Sequence, residues 1–130
     1  LFKITMNRII KTAHAPAPIG PYNQAIEANN TLYISGQIGM NPATSELVQD
    51  SLENETHQVM ANLAAILKEA GYDWSNIVKC SIFLSDMNDF PNVNEIYGSY
   101  FSDQYPARET VQVGKLPLGV NVEISAIAVK

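Results

Sequence analysis

The sequence predicts an α+β fold in which two helices cover one face of a mixed β-sheet. Residues 52–70 and about 91–101 repeat apolar side chains at helical spacing, and several shorter segments alternate apolar and polar residues as strands do. The order of three strands, a helix, a strand, a helix and two strands is typical of a two-layer sandwich. The 130 residues are expected to form a single domain spanning residues 1–130.

The first part of the chain is predicted to hold a strand, a proline-rich loop and a hairpin. Residues 8–12 are typical of a strand, and the loop that follows contains three prolines, which remove backbone donors and keep the chain extended. Residues 25–28 and 31–38 alternate on either side of Asn29-Asn30, a pair that tolerates positive φ, and so predict a hairpin. A short strand is expected near residues 47–48.

The longest predicted helix spans residues 52–70. Asp50 and Glu53 resemble a capping box at its start, and Gly71 is expected to end it. Its apolar stripe consists of Val59, Leu63, Ile66, Leu67 and Ala70.

The second part of the chain is predicted to contain a strand, a helix and two further strands. Residues 77–84 alternate as a strand does, and a helix over residues 91–101 begins suitably with Pro91 in its first turn. Residues 110–114 and 121–129 are predicted to be the last strands. The core-facing residues of the strand over 77–84 are expected to be Val78, Cys80, Ile82 and Leu84.

The last strand predicts what the uncovered face of the sheet carries. The helix-covered face is expected to receive Val122, Ile124, Ala126 and Ala128. The opposite face would receive Glu123, Ser125, Ile127 and Val129. Because a bare face that mixes apolar residues with a carboxylate is best covered by another subunit, we expect an oligomer.

Composition and charge exclude several classes of partner. A net charge of -5 argues against a broad phosphate-binding surface, so no nucleic-acid partner is expected. The apolar stretches are too short for a membrane span, and the first residues lack the pattern of a secretory signal. Cys80 is the only cysteine, which fits the reducing cytoplasm. We interpret residues 1–5 as an extension before Met6.

Most familiar catalytic motifs are missing from the chain. It has no nucleophile elbow, no phosphate-binding glycine loop and no His-Glu-x-x-His pair. His14 and His57 are the only histidines and have too few partners for a zinc site, so neither a metal nor a cofactor is expected. His57 is interpreted as solvated. Cys80 is interpreted as a small core hydrophobe and not as a nucleophile.

Arg108 is the strongest single candidate for a functional residue. The chain has only one other arginine, Arg8, and Arg108 lies between Pro106 and an alternating segment, on no charged helix face. A planar, permanently charged fork at the start of a strand can hold a small carboxylate in bidentate geometry. A structural ion pair is the alternative interpretation.

Several short segments carry a more specific signal together than each does alone. Singly, Tyr22 is an ordinary aromatic, Gly36 an ordinary bulge glycine and Glu123 an ordinary solvated or paired carboxylate. The segments are 17–25 (APIGPYNQA), 34–38 (ISGQI), 88–90 (NDF), 106–108 (PAR) and 116–117 (LP) followed by 122–128 (VEISAIA). In this order and spacing, the chain from residue 6 to 130 resembles the RidA/YjgF family of reactive-intermediate deaminases.

The resemblance implies a fold, an assembly and a reaction. The fold would be chorismate-mutase-like α+β, with three identical subunits and active sites in the clefts between neighbours. The reaction would be the hydrolysis of 2-imino acids, such as 2-iminobutanoate and 2-iminopropanoate, to the 2-keto acid and ammonia. That reaction protects pyridoxal-phosphate enzymes from reactive intermediates, and it implies no metal or cofactor.

The resemblance also implies roles for individual residues. Arg108 would hold the substrate carboxylate, and the backbone N–H of Gly36 would help to position it. The carbonyl of Thr110 would accept from the imine nitrogen, Glu123 would hold or activate the attacking water, and Tyr22 would border the pocket. Further substrate-binding residues implied by the resemblance are Ser35 and Asn88.

Glu109 departs from the family pattern, which has small residues after the arginine. A carboxylate facing the pocket would oppose a carboxylate substrate. Strand alternation, however, predicts that Glu109 points away from both Arg108 and Thr110.

Two other functions remain open at this point. One is an RNA-cleaving translation inhibitor, an activity of some relatives, against which the acidic charge and the lack of a histidine pair count. The other is a noncatalytic trimer that uses the same clefts to bind small carboxylates or to act as a chaperone. Retention of both Arg108 and Glu123 favours the enzyme.

Overall fold

A computed structural model describes residues 6–130, and within this range six strands form one sheet with two α-helices on one face. The elements are β1 (Arg8–Ile10), β2 (Ala25–Ala28), β3 (Thr31–Ile38), β4 (Met40–Asn41), β5 (Glu46–Leu47), α1 (Leu52–Ala70), β6 (Ile77–Leu84), α2 (Phe90–Gly98), β7 (Ala107–Gln112) and β8 (Val122–Val129). The predicted α+β class is confirmed. The predicted extension over residues 1–5 lies outside the described residues.

The strand order in the sheet is β1-β2-β3-β8-β6-β7. Over the described part of the chain, β6 and β7 pair in parallel and the other neighbours pair antiparallel. The strands β4 and β5 form a separate ribbon, so the short strand expected near residues 47–48 is found one residue earlier. None of the helices between residues 6 and 130 has the length and apolar character needed to cross a membrane.

The predicted hairpin is confirmed, and its second strand contains a bulge. Asn29 and Asn30 adopt φ values of 50° and 60° at the turn between β2 and β3. Against β8, Ile34 pairs with Ala126 and Gln37 with Ile124. Two residues of β3, Ser35 and Gly36, therefore lie opposite one residue of β8, which is the arrangement of a β-bulge.

Helix α1 has the predicted bounds but a different cap. Ser51, which is extended with φ −157°, accepts from the Asn54 N–H at 3.0 Å. The predicted capping box of Asp50 and Glu53 is wrong, because the extended residue next to the helix is Ser51 and Asp50 instead accepts from Asn54 Nδ2. Gly71 ends the helix at φ 82°, as predicted.

Strand β6 has the predicted bounds, but Val78 does not face the core. The pairing with β8 shifts between Ile77 and Lys79, so Val78 is 46% exposed and Ile77 is buried in its place. The predicted core positions Cys80, Ile82 and Leu84 are confirmed.

The elements around α2 and β7 differ most from the prediction. A 3₁₀ turn, Met87–Asp89, precedes α2, and α2 ends at Gly98, although Phe101 still packs into the core. Strand β7 begins at Ala107, three residues before its predicted start, because it pairs in parallel with β6 and places Arg108 beside Cys80. Arg108 therefore lies inside an edge strand.

The two faces of β8 are as predicted. The core face carries buried Val122, Ile124, Ala126 and Ala128. On the open face, one row of paired residues crosses the sheet and consists of Ile9, Ile26, Tyr33, Ile127 and Lys79. Large apolar side chains of this row, Ile9 and Tyr33, are exposed in the single subunit.

Candidate functional site

Five of the predicted site residues, Tyr22, Ser35, Gly36, Arg108 and Glu123, line two grooves on opposite faces of the sheet. The glutamate groove, on the open face, has a volume of about 400 Å³, and its lining includes Ile19, Tyr22, Ser35, Gly36, Pro117 and Glu123. The arginine groove, between β7 and α2 on the helix side, has a volume of about 590 Å³, and its lining includes Asn94, Glu95, Tyr97, Tyr105, Pro106 and Arg108.

The bulge in β3 brings Gly36 against Glu123. A Cβ atom on residue 36 would lie 2.8 Å from Glu123 Cδ, closer than real side chains approach, so a larger residue would push the carboxylate out of its present position. Burial raises the pKa of Glu123, because desolvation disfavours its charged form. A carboxylate with a raised pKa beside exposed backbone is suited to accept a proton from water.

The loop that carries Tyr22 is fixed by Gln24, which sequence reasoning did not single out. The buried amide of Gln24 accepts from the Thr12 N–H at 2.8 Å and donates to carbonyls of Thr12, Ala15 and Pro16. Tyr22 itself is 46% exposed and turns into the groove. A glutamine after a proline-rich loop is the signal that could have identified this support, since such loops need partners for their carbonyls.

Ser35 lies in the glutamate groove, but its hydroxyl is engaged. Ser35 Oγ donates to the carbonyl of Asn23 at 2.6 Å, and the Ser35 N–H donates to the carbonyl of Gln24 at 2.9 Å. Both bonds tie the bulge of β3 to the loop before β2. Ser35 thus shapes the groove, and its hydroxyl oxygen retains capacity to accept a hydrogen bond.

Arg108 is held in place without a carboxylate partner. Its NH1 donates to Asn94 Oδ1 at 2.7 Å, and its guanidinium carbon lies 5.2 Å from the Tyr97 ring centroid and 5.5 Å from that of Phe90. The ion pairs formed between side chains of residues 6–130 join Arg8 to Glu27 and Lys79 to Glu109. The structural ion pair considered for Arg108 is therefore not found there.

Asn94 is the site residue that sequence reasoning missed. Phe90, Asn94 and Tyr97 lie at positions i, i+4 and i+7 of α2 and so share the helix face that meets Arg108. Asn88, which was expected in the site, is exposed in the 3₁₀ turn and lies outside the lining of both grooves. Its backbone N–H donates to Asp86 Oδ1 at 2.9 Å.

Thr110 and Glu109 follow Arg108 on alternate faces of β7. Thr110 pairs with Ile82 on the helix side, and its Oγ1 is buried without a hydrogen-bond partner in the described part of the chain. Glu109 contacts Lys79 and Ser81 on the open face, and these contacts lower its pKa. The prediction that Glu109 points away from Arg108 is confirmed.

Other candidates for chemistry have structural surroundings. Burial raises the pKa of Cys80, which agrees with its interpretation as a core residue. His57 is exposed, as expected, and its Nδ1 lies 2.7 Å from the hydroxyl of Tyr100. Between residues 6 and 130, histidine, cysteine and acidic side chains do not come together in any group of three that could hold a metal ion.

The two grooves carry complementary chemical groups. The arginine groove presents a cationic fork, and the glutamate groove presents a carboxylate with a raised pKa beside a glycine backbone. Strand β6 separates β7 from β8, so the two strand axes are about 10 Å apart. A small molecule bound to Arg108 cannot reach Glu123 of the same chain through the sheet.

The chain was compared with known protein families and structures. The family model described as endoribonuclease L-PSP matches residues 12–130. A 2-iminobutanoate/2-iminopropanoate deaminase of Bos taurus is 50% identical over 125 residues, which cover 96% of this chain and 91% of the relative.

Solved structures agree with that match. RidA from an Antarctic Psychrobacter bacterium superposes with a TM-score of 0.91 at 41% identity, covering 95% of this chain and 99% of the other. TdcF of E. coli with bound serine gives a TM-score of 0.90 at 38% identity, covering 95% and 98% of the two chains.

Proposed function

The chain belongs to the endoribonuclease L-PSP family, which is the RidA/YjgF family, and on that premise we propose that it is a 2-iminobutanoate/2-iminopropanoate deaminase. Its reaction adds water to C2 of a 2-imino acid to form a carbinolamine. A proton then moves to nitrogen, the C–N bond breaks, and the 2-keto acid and ammonia leave. The sequence similarity extends over nearly the whole chain and supports this function.

The observation that carries the proposal is the division of the site between two sheet faces. We propose that three copies assemble so that the arginine groove of one subunit meets the glutamate groove of its neighbour. The exposed apolar row on the open face, with Ile9 and Tyr33, supports burial of that face by another copy. A site completed in this way joins the cationic fork of one subunit to the carboxylate of the next.

In the proposed site, each half has a separate task. Arg108 holds the substrate carboxylate with its free N–H groups, since only one of them is used by Asn94. The Gly36 N–H adds a second contact, and the carbonyl of Thr110 accepts from the imine nitrogen. Thr110 lies on an edge strand, where backbone groups on the outer side have no partner in the sheet.

The other half activates water. Glu123 takes a proton from the attacking water, and its raised pKa makes it a stronger base than an exposed glutamate. Tyr22 borders the same groove and orients the water or the substrate. An imine is already electrophilic, so orientation and a placed water supply most of the catalysis without a metal or cofactor.

The function is tested by generating 2-iminobutanoate in the cuvette from threonine and a threonine dehydratase. The protein is expected to accelerate formation of 2-oxobutanoate from the released intermediate, and the keto acid is followed by absorbance. No acceleration at protein concentrations equal to the dehydratase would contradict the proposal.

The shared site gives a prediction about subunit mixing. Arg108→Ala and Glu123→Gln trimers are each expected to be nearly inactive. After the two are unfolded and refolded together at equal amounts, about one quarter of the sites should pair an intact arginine with an intact glutamate. Activity near one quarter of wild type, with light scattering that gives three chain masses, is the expected result.

Two outcomes would contradict a site shared between subunits. Mixed trimers as inactive as the parents would show that each site uses one chain only. A monomeric mass at micromolar concentration would exclude the shared cleft altogether, because a stable interface should bury on the order of 800 Å² per partner.

Two alternative functions give different expectations for this protein. A noncatalytic binder would take up small carboxylates without producing keto acid, and the serine bound to the E. coli relative is a ligand of this class. Cleavage of RNA would require a basic surface, whereas the net charge is -5.

The proposal also places the protein in the cytoplasm, which its single buried cysteine supports.

A further inference from the structure

Helix α1 buries the polar side chains of Glu55, Thr56 and Asn62, and two of these, Glu55 and Asn62, bond to backbone close to the glutamate groove. Glu55 is 1% exposed and Asn62 is fully buried. A buried carboxylate is costly unless hydrogen bonds compensate it, and a well-packed apolar pair is often at least as stable. Stability alone does not require these two residues, so their location suggests a role in shaping the neighbouring groove.

Glu55 binds the chain immediately before β8. Its Oε2 accepts from the Asn121 N–H at 2.8 Å, and its Oε1 accepts from Asn121 Nδ2 at 2.7 Å. Asn121 lies two residues before Glu123. Both oxygens of one carboxylate thus fix the residue from which the strand bearing Glu123 starts.

The same region of α1 fixes the end of β3. Asn62 Nδ2 donates to the carbonyls of Ile38 and Met40, both at 3.0 Å. Between them lies buried Gly39, where a Cβ atom would be 2.8 Å from Glu55 Cγ. Glu55 therefore packs against the backbone three residues after Gly36 while it holds the start of β8.

We propose that Glu55 is a positioning residue that fixes the start of β8 against the end of β3 and so sets the distance between the Glu123 carboxylate and the Gly36 backbone. Glu123 depends on this support, because burial and contact with Gly36 define its surroundings and no side-chain partner holds it within residues 6–130. The inference rests on the proposed function, in which Glu123 places the attacking water.

The test replaces the Glu55 carboxylate with an amide of nearly the same size. In Glu55→Gln, one carboxylate oxygen becomes an NH₂ group that faces a donor of Asn121, so one hydrogen bond is lost. We expect kcat to fall by roughly tenfold while KM changes little, because Arg108, the main contact of the substrate carboxylate, lies in the other groove. Adding Asn121→Asp supplies an acceptor for the new amide, and most of the lost kcat should return.

A second measurement does not depend on deaminase activity. The pKa of Glu123 is followed by carbon NMR on protein with labelled glutamate, with the resonance assigned from Glu123→Gln. In wild type it should be above its ordinary value, in Glu55→Gln it should move toward that value, and in the double variant it should return. If wild type lacks deaminase activity, the proposed function fails, and this titration still decides the role of Glu55.

Tyr72→Phe is the matched control. It removes a hydrogen bond of 2.6 Å from the Tyr72 hydroxyl to Glu27 Oε2, at the opposite end of the sheet from Glu123. The melting temperature should fall, whereas kcat and the pKa of Glu123 should stay at their wild-type values. A purely structural Glu55 would behave in the same way.

The outcomes separate the two roles. A folded Glu55→Gln protein with wild-type kcat and an unchanged pKa of Glu123 overturns the inference, as does a double variant that regains stability but not kcat. If Glu55→Gln does not fold, Asn121→Ala removes only the side-chain bond. That variant should show smaller changes of the same sign in both measurements, and no change in either would overturn the inference.

Discussion

Replacing Arg108 with alanine is expected to remove nearly all deaminase activity while the protein stays folded and keeps its proposed trimeric assembly. A charge-assisted contact in a partly desolvated cleft is worth roughly 1.5–3 kcal/mol, which corresponds to about ten- to a hundredfold in rate. Arg108→Lys keeps the charge and loses the planar fork, so it should show a loss of that size. Arg108→Ala should lose more, because the substrate carboxylate is then desolvated without a partner.

The structure explains why the fold should tolerate this change. Arg108 is exposed on an edge strand, and its contacts are an asparagine oxygen and two aromatic ring faces. These neighbours hold the guanidinium plane and leave most of its donors free. Removing the side chain therefore leaves no buried charge unpaired.

Arg8 provides a matched control, since it is the only other arginine. Its Nε contacts Glu27 at 3.0 Å, and its NH2 donates to the Ala70 carbonyl at the end of α1. Arg8→Ala should lower the melting temperature and leave kcat/KM at the wild-type value. Steady-state kinetics and thermal melts of the two variants distinguish a substrate-binding arginine from a structural one. An Arg108→Ala trimer with wild-type kcat/KM would refute the proposed mechanism.

Most features set by local sequence could be predicted, whereas several features set by strand pairing could not. The Asn29-Asn30 turn and the bounds of α1 depend on a few neighbouring residues, and both were found as expected. The exposure of Val78 depends on a register shift against β8, which is distant in sequence. Strand β7 began earlier than predicted because an exposed edge strand lacks the alternation that marks a half-buried one.

The candidate site also combines features that the sequence predicts with features that depend on strand pairing. Residue type and position made Arg108 a candidate, and the resemblance to the RidA/YjgF family made Glu123 one. Their placement on opposite sheet faces follows from the parallel β6–β7 pair, which sequence alone did not reveal. Asn94 was missed for the same reason, since its contact with Arg108 exists only once α2 lies beside β7.

Replacing Glu123 with glutamine is expected to lower kcat by a hundredfold or more, a loss on the order of 3 kcal/mol of transition-state stabilisation, because the amide cannot take a proton from water. The wild-type rate should fall as the pH drops through the raised pKa of Glu123, at a higher pH than an ordinary glutamate would give. The residual rate of the variant should lack this acid limb. Initial rates measured across pH for both proteins give the comparison.

Stability should change in the opposite direction from activity. A carboxyl group whose pKa is raised on folding favours the folded state below its unfolded pKa, and that contribution is lost as the pH rises through the folded pKa. At neutral pH the ionised Glu123 opposes folding, so Glu123→Gln should melt at the same temperature as wild type or higher. Glu109, whose pKa is lowered by Ser81 and Lys79, should have the opposite effect on stability, because its ionised form favours folding at neutral pH.

Glu109→Gln is therefore the natural control on the same face of the sheet. Its carboxylate favours folding above its unfolded pKa, so the variant should melt at a lower temperature at neutral pH and keep its turnover. Full turnover in Glu123→Gln, or an acid limb that persists in it, would show that another group activates the water. Because the two carboxylates differ in the sign of their pKa shifts, one pair of melts and one pair of pH profiles separates a catalytic glutamate from a structural one.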